Sequence, residues 1–178
     1  MKKILLLFIF VIGALTCSAQ KSKSFYYDGI EIHNVKGWTI VPTKEGDKTV
    51  INCIKLPAQL TFTKQAALEN KSLEVYLSQM VERLMETSMA TSGKAPMIKE
   101  MSPVMDGYVN AMPAKYIDVT YTKKVRQRIY ALNAYNYMIT VTCTGIGGAH
   151  DAFVEKSFGK ILSTFAFNPE TNSYDLFH

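Results

Sequence analysis

The chain has 178 residues, 48% of them hydrophobic and 20% charged, and its formal net charge is +5 at pH 7. A chain of this length fits one domain that buries a core without disulfide or metal staples. The modest positive charge does not indicate a nucleic-acid partner, and none is expected.

The N-terminus has the parts of a secretory signal peptide. Lys2 and Lys3 supply a positive start, residues 4–15 form an uncharged apolar run, and small residues lead up to Ala19. Because the run is too short to span a bilayer as a stable helix, we expect residues 1–19 to be removed after Ala19. Losing the two lysines lowers the formal charge from +5 to +3. We expect export to the periplasm or the extracellular space, with no transmembrane segment after cleavage.

Cys17 supports a second interpretation, in which the chain is acylated and anchored as a lipoprotein. Such a site favours Leu three residues before the cysteine and Gly or Ala directly before it. Those positions hold Ala14 and Thr16. The sequence therefore favours free export over anchoring through Cys17.

The rest of the chain begins with short strands. After a flexible lead-in over residues 20–24, apolar or β-branched segments occur at 25–27, 30–32, 37–41, 49–56 and 59–64, with turn residues between most of them. Trp38, the only tryptophan, is expected to anchor the core. We expect a single domain over residues 25–167 and a loose tail over residues 168–178.

Two helices are predicted. Ser72 is a suitable N-cap for a helix that runs to about Ala90 and carries an apolar stripe. A last helix is predicted over about residues 151–165, where the apolar residues have helical spacing. These residues are Phe153, Phe158, Ile161, Leu162 and Phe165.

Residues 113–145 are predicted to form three consecutive antiparallel strands, a meander, because their side chains alternate in character. If one face is apolar throughout, opposed residues must share parity, which requires three-residue loops at 123–125 and 134–136 and excludes two-residue turns. In this register Val119 faces Ile129, and Ile129 faces Val141. The apolar face carries Ile117, Val119, Tyr121, Ile129, Ala131, Tyr137, Ile139, Val141 and Cys143.

The other face of the meander is mixed in character. The predicted register places Asp118 opposite Tyr130 and Thr120 opposite Arg128. Asp118, Arg128 and Tyr130 are therefore a candidate ligand-binding site, against the alternative of a solvated or partly covered sheet face.

A basic hairpin tip connects the first two strands of the meander. Lys123, Lys124, Arg126 and Arg128 lie in or beside it. On an exported protein these charges would attract an envelope protein or an anionic envelope surface, and the alternative is a solvated tip. The four residues are a candidate partner-binding site.

Cys53 and Cys143 remain after cleavage, and the sequence leaves open whether they pair or stay as buried thiols. Cys143 and His150 are the nearest approach to a nucleophile with its base, but no third group orients them. We predict no catalytic residue and no enzyme activity.

Metal and anion sites are weakly indicated. The histidines lack ligand spacing, so no zinc site is predicted. Residues 145–148 are glycine-rich and stand where a strand meets a helix, as in anion sites, but they lack a dinucleotide-binding fingerprint. Five methionines invite a copper site, although core packing is the better interpretation. They are Met85, Met89, Met97, Met101 and Met105.

Several segments resemble the PsbP-like superfamily, which includes the extrinsic PsbP protein of photosystem II and bacterial envelope proteins of the DcrB and LpqN kind. They are Gly37-Trp38, Pro113-Ala114-Lys115-Tyr116 and residues 127–130, 137–142 and 158–165. The resemblance implies an α+β fold, an antiparallel sheet with a three-strand meander packed between helices as an α/β/α sandwich. It also implies binding or assembly without catalysis, and it maps no functional residue onto this chain.

The predicted function is that of an exported, non-catalytic binding or assembly protein of the cell envelope. No cofactor or resident metal is predicted. The alternative is an envelope protein that binds a small molecule or copper, through Asp118, Arg128 and Tyr130 or through the methionines.

Overall fold

The computed structural model describes residues 24–67, 72–90, 97–146 and 154–170. Strands dominate these ranges, and they form two antiparallel sheets. The predicted signal peptide, most of the predicted lead-in and residues 171–178 of the predicted tail lie outside the described residues. The first described strand begins at Ser24 and the last ends at Phe167.

The larger sheet has eight strands. They are β3 (Thr39–Glu45), β4 (Lys48–Lys55), β5 (Ala58–Ala66), β6 (Ile98–Met101), β7 (Met105–Val109), β8 (Met112–Tyr121), β9 (Val125–Ala134) and β10 (Tyr137–Ile146). Their order is β3-β4-β5-β10-β9-β8-β6, and β7 pairs with the first half of β8. The smaller sheet contains β1 (Ser24–Tyr27), β2 (Ile30–His33) and β11 (Ala166–Phe167), in the order β1-β2-β11.

The meander is confirmed, because β8, β9 and β10 are consecutive neighbours. The connection between β8 and β9 has the predicted length of three residues, but it is a 3₁₀ turn at Thr122–Lys124, one residue earlier than predicted. The register is therefore shifted. Ile117, instead of Val119, lies opposite Ile129.

The predicted exclusion of two-residue turns is wrong. Tyr135 and Asn136 alone connect β9 to β10, so that Val141 lies opposite Tyr130. The parity argument assumed one apolar face, whereas four successive residues of β9, Ile129 to Leu132, are buried. Both faces of the sheet are covered here, and alternation on one face no longer fixes the register.

The smaller sheet covers one face of the larger one, together with a short helical segment. This segment is a π-helical turn at Val154–Phe158 that continues as the helix that we call α2 (Gly159–Leu162). Phe165, which follows it, stacks on Phe62 of β5 with ring centroids 5.4 Å apart. The main core lies between these layers and includes Ile30, Ile32, Ile51, Leu60, Leu132, Ile139, Phe158 and Ile161.

The helix α1 (Leu73–Ala90) packs on the opposite face of the sheet. The predicted N-cap is present, since the Val75 amide donates to the Ser72 hydroxyl over 3.2 Å. Leu77 and Val81 are buried against Ile117 and Ile129. Within the described ranges no helix has both the length and the apolar composition that a bilayer crossing requires.

The predicted α/β/α sandwich is therefore wrong. The described residues are mostly strand, and the layer opposite α1 is a three-stranded sheet beside a short helical segment. The last helix ends at Leu162 instead of continuing to Phe165. Just after its end, the Thr164 hydroxyl donates to the Ile161 carbonyl over 2.8 Å. The chain then extends as β11, so helical spacing of apolar residues here reflected a shared core and not one continuous helix.

An ion pair between the buried Lys64 and the partly buried Asp28 links the two sheets. The ammonium of Lys64, on β5, lies 2.5 Å from a carboxylate oxygen of Asp28, in the turn between β1 and β2, and 2.9 Å from the Asp28 carbonyl oxygen. The buried Thr49 hydroxyl also donates to the Asp28 carboxylate. Burial raises the pKa of Asp28, but the bonds from Lys64 and Thr49 and the charges of Lys64 and Lys44 outweigh burial, so its pKa is lowered.

Candidate functional site

The predicted basic hairpin tip is only partly assembled. Lys124 and Arg126 are exposed, and Lys124 has a left-handed backbone with φ of 56°. The side chain of Lys123 lies outside the described residues. Arg128 does not belong to the tip, because its guanidinium is bonded to Asp118 on the neighbouring strand β8.

Asp118, Arg128 and Tyr130 do lie together on one face, as predicted, although in a different register. Asp118 is directly opposite Arg128, which donates to both carboxylate oxygens over 2.7 and 2.8 Å. The guanidinium carbon is also 4.8 Å from the centre of the Tyr116 ring.

Two members of this cluster, Arg128 and Tyr130, have raised pKa values. The bond from Asp118 raises the pKa of Arg128, and burial raises the pKa of Tyr130. Asp118 and Arg128 neutralise each other in a bidentate pair, so the cluster offers little free charge to a ligand.

The cysteines occupy one row of the sheet, with a strand between them. Cys53 on β4 and Cys143 on β10 both lie opposite Leu60 of β5. Two strand spacings put their Cα atoms roughly 10 Å apart, well beyond the roughly 7 Å limit for a disulfide. Both are free and buried, and burial raises the pKa of each thiol, that of Cys53 to about 12. This arrangement disfavours a nucleophilic role for Cys143, while His150 lies outside the described residues.

The methionines considered for copper are spread along β8. Met97 bonds to Thr122, Met101 lies opposite Val119, and Met105 lies opposite Tyr116. Tyr116 and Thr122, the outermost of these partners, are six residue steps apart along the chain, or roughly 20 Å. Met85 lies on α1, and the side chain of Met89 is outside the described part of the chain. The three strand methionines therefore do not converge on one ion. In the described ranges no three His, Cys, Asp or Glu residues group as metal ligands either.

Sequence inspection missed a Ser-His-Glu line on the small sheet. The His33 ring contacts the Ser24 hydroxyl through Nδ1 and a Glu31 carboxylate oxygen through Nε2, both over 2.6 Å. Ser24 and His33 are opposed across β1 and β2, which explains their meeting. A hydrolase of this type also needs donors for an oxyanion, and the pairing of two adjacent strands is enough to account for the line.

A basic cleft lies where the end of β4 meets the loop before β3 and the C-terminal helical segment. The loop is shaped by Gly37, whose φ of 82° is left-handed, and by the Trp38 amide, which donates to the Val35 carbonyl over 3.0 Å. The Asn34 side chain donates to the Lys160 carbonyl over 3.3 Å and so ties the loop to α2.

We call this feature the lysine cleft. Its volume is about 420 Å³, within the roughly 300–1,000 Å³ of ordinary ligand sites. Trp38 forms an aromatic wall and packs on the buried Phe158, with ring centroids 6.1 Å apart. The lining residues are Asn34, Lys36, Trp38, Lys55, Lys156, Ser157 and Lys160.

The charged residues that line the lysine cleft are all positive. Four of its seven lining residues are lysines, and none is acidic. In the described part of the chain, no carboxylate forms an ion pair with any of the four. Ammonium groups gathered without counter-charge attract phosphate or carboxylate groups, and an indole face accepts flat or apolar parts of a ligand.

The lysine cleft was not predicted, because its lysines come from three distant segments. Lys36 and Lys55 are separated by β3 and most of β4, and Lys156 follows a hundred residues later. The four-residue spacing of Lys156 and Lys160 places them on neighbouring positions of a helix, which was the one local signal.

Comparison with solved structures identifies the architecture. The solution structure of cyanobacterial PsbP (CyanoP) from Synechocystis sp. PCC 6803 matches with a TM-score of 0.59 at 14% identity, over 89% of this chain and 99% of that protein. The fold is PsbP-like. The predicted resemblance is thus confirmed at the level of the fold, while the likeness to DcrB and LpqN proteins stays a prediction.

Two other solved structures are less similar to this chain. A crystal structure from Bacteroides thetaiotaomicron VPI-5482 has a TM-score of 0.47 at 10% identity, over 85% of this chain and 50% of that one. A Pseudomonas aeruginosa protein of unknown function, a putative regulator, has a TM-score of 0.41 at 10% identity, over 77% and 84% of the two chains. No protein-family model and no curated protein matches the sequence.

Proposed function

We propose that this chain is an exported, non-catalytic binding protein of the cell envelope that holds an anionic ligand in the lysine cleft. The observation that carries the proposal is the convergence of four lysines from three segments on Trp38, without an acidic residue in the lining. Export rests on the signal peptide predicted for residues 1–19. The PsbP-like fold is compatible with a binding role, but a fold does not determine a function.

The ligand class follows from the donors. Lysine binds phosphate as a mobile point charge, without the fixed two-pronged geometry of arginine. Several lysines around one space therefore suit a compact group with more than one negative charge. Phosphate esters and pyrophosphates have this chemistry, and the Trp38 ring would contact the less polar part of such a molecule.

The other predicted sites contribute less to this proposal. The pairing of Asp118 with Arg128 leaves that face nearly neutral, and the spread of the methionines disfavours copper. Lys124 and Arg126 lie at the same end of the larger sheet as Lys55, since β9 starts opposite Ile146 and Ile146 bonds to Pro57. The two extend the positive surface beyond the cleft.

Trp38 provides a direct test, because the only tryptophan of the chain lines the cleft. Inorganic pyrophosphate is titrated at constant ionic strength while tryptophan fluorescence is followed. We expect a saturable change in emission. Sodium chloride at the same ionic strength should cause none.

Strand β4 offers a matched pair of variants. Lys55→Glu reverses a charge in the cleft, whereas Lys48→Glu makes the same change at the other end of the strand. We expect Lys55→Glu to weaken pyrophosphate binding roughly tenfold and Lys48→Glu to leave it unchanged. Equal effects of the two variants, or no saturable signal in the natural protein, would refute the proposal.

A further inference from the structure

The two ends of the larger sheet differ in charge and in exposed side chains. We call the end where β4 finishes the lysine end. It carries the cleft, Lys124 and the turn at Leu56 and Pro57. At the opposite end, the turn between β3 and β4 holds Glu45 and Asp47 between Lys44 and Lys48, so its positive and negative charges are equal in number. The lysine end therefore has an excess of positive charge that this turn lacks.

The lysine end also exposes two aliphatic side chains. Leu56 is 79% exposed, the highest value for a large hydrophobic residue in the described ranges, and Ile146 is 45% exposed. They lie close together, because the Ile146 amide donates to the Pro57 carbonyl over 3.1 Å. The hydrogen bond ties the turn to the end of β10, so Leu56 projects from a braced hairpin.

These two aliphatic residues adjoin the positive charges. Leu56 directly follows Lys55, which lines the cleft, and Ile146 is paired with Val125 beside the exposed Lys124. Apolar side chains at a tip, with lysines behind them, match the two layers of a membrane surface, where headgroup phosphates lie outside the acyl chains.

We propose that the lysine end docks on a lipid bilayer that contains anionic phospholipid. Leu56 and Ile146 enter the boundary between headgroups and acyl chains, while the cleft lysines contact headgroup phosphates. This inference rests on the proposed function, because the headgroup is then the anionic ligand of the cleft. A small soluble anion would fill the cleft but leave Leu56 and Ile146 in water, and this difference favours a membrane as the occupant.

The test is co-sedimentation with vesicles of phosphatidylcholine, with and without phosphatidylglycerol. The protein is recovered after processing by its own cell, and intact mass establishes that all variants share one N-terminus. We expect binding only when phosphatidylglycerol is present, and we expect it to weaken in high salt, since screening shortens the reach of the lysine charges.

Two variants separate the apolar contact from the charges. Leu56→Ser removes the inserted side chain and should reduce partitioning roughly tenfold, while pyrophosphate still alters Trp38 fluorescence. Lys55→Glu should reduce partitioning at least fivefold, since one lysine near an anionic surface contributes about that much. Lys48→Glu and Tyr135→Ser are controls, because Tyr135 is an exposed side chain at the opposite end of the sheet.

The outcomes distinguish this inference from the proposed function. Pyrophosphate binding without vesicle binding would overturn the membrane inference and leave the anion-binding cleft intact. Vesicle binding that Leu56→Ser does not weaken would overturn insertion of the lysine end. Absence of both kinds of binding would overturn both proposals. Circular dichroism of each variant excludes unfolding as the cause of a loss.

Discussion

Arg128 and Asp118 face each other across β9 and β8 and are joined by two hydrogen bonds of 2.7 and 2.8 Å. The pair is partly exposed, and the guanidinium also covers the Tyr116 ring. A bidentate pair with a stacked ring contributes more to stability than an ordinary surface pair, although solvent screens it.

We expect Arg128→Lys to lower the free energy of unfolding by about 1 kcal/mol, because lysine keeps the charge but loses both the fork and the stacking. Urea unfolding measures this. Asp106→Asn is the matched control, since it breaks the far more exposed pair of Asp106 with Lys115 and should change stability little. Equal losses in the two variants would contradict a special contribution of Arg128.

The ion pair of Asp28 and Lys64 should make the free energy of unfolding depend on pH in the acidic range. The pKa of Asp28 is lowered below its ordinary value of 3.8, so the contribution of the ion pair is complete above that value and is lost as the pH falls through the lower pKa of the folded state. Asp28→Asn should therefore be less stable at neutral pH and less sensitive to acid. The free energy of unfolding, measured from neutral pH down to a pH below 3.8, tests this, with the exposed Asp47→Asn as control. An unchanged acid dependence in Asp28→Asn would contradict it.

The two buried thiols should resist alkylation. Burial raises the pKa of both, so little thiolate forms near neutral pH, and the core excludes the reagent. We expect iodoacetamide to leave Cys53 and Cys143 unmodified in the folded protein and to modify both in denaturant, as measured by peptide mass. A peptide pair joined by a disulfide would contradict the separation of the two by Leu60.

Gly29 and Gly46 provide a comparison of two glycines with left-handed backbones, at φ of 82° and 58°. A Cβ on Gly29 would lie 2.7 Å from the Asn168 carbonyl oxygen, whereas one on Gly46 would meet no atom within 4 Å. We expect Gly46→Ala to cost about 1 kcal/mol from backbone strain alone.

For Gly29→Ala we expect a loss of at least about 2 kcal/mol, because the new methyl group would also push the chain after β11 away from the β1–β2 turn. Thermal or urea unfolding of both variants tests the difference. Similar stabilities for the two would show that the close approach of Asn168 is unimportant.

Local patterns in the sequence predicted much of the larger sheet. Alternation located the strands around Leu60, Phe62 and the meander, and Ser72 marked the start of α1 correctly. The register of the meander strands could not be predicted, because β9 is buried on both faces and the polarity of its side chains does not indicate which residues lie opposite them. The two-residue β11 was missed because it is too short to show any period.

The candidate functional sites were likewise predicted only in part. Asp118, Arg128 and Tyr130 were grouped correctly because they belong to adjacent strands whose pairing the pattern nearly determined. The lysine cleft depends on contacts between β4, the loop before β3 and α2, which no local pattern specifies. Trp38 was expected in the core, and its packing on Phe158 explains why one face of the ring is buried while the residue still lines the cleft.

The pairing of β2 with β11 has a consequence for how the chain folds. Ile30 lies opposite Phe167, and the Gly29 carbonyl accepts from the Asn168 amide over 2.8 Å. The ribosome makes Ile30 well before Phe167, so the layer that covers the main core cannot close until residues 166–168 have been synthesised. Until then the apolar face around Phe62 and Ile139 stays uncovered, and we expect the incomplete chain to aggregate more readily than the folded protein.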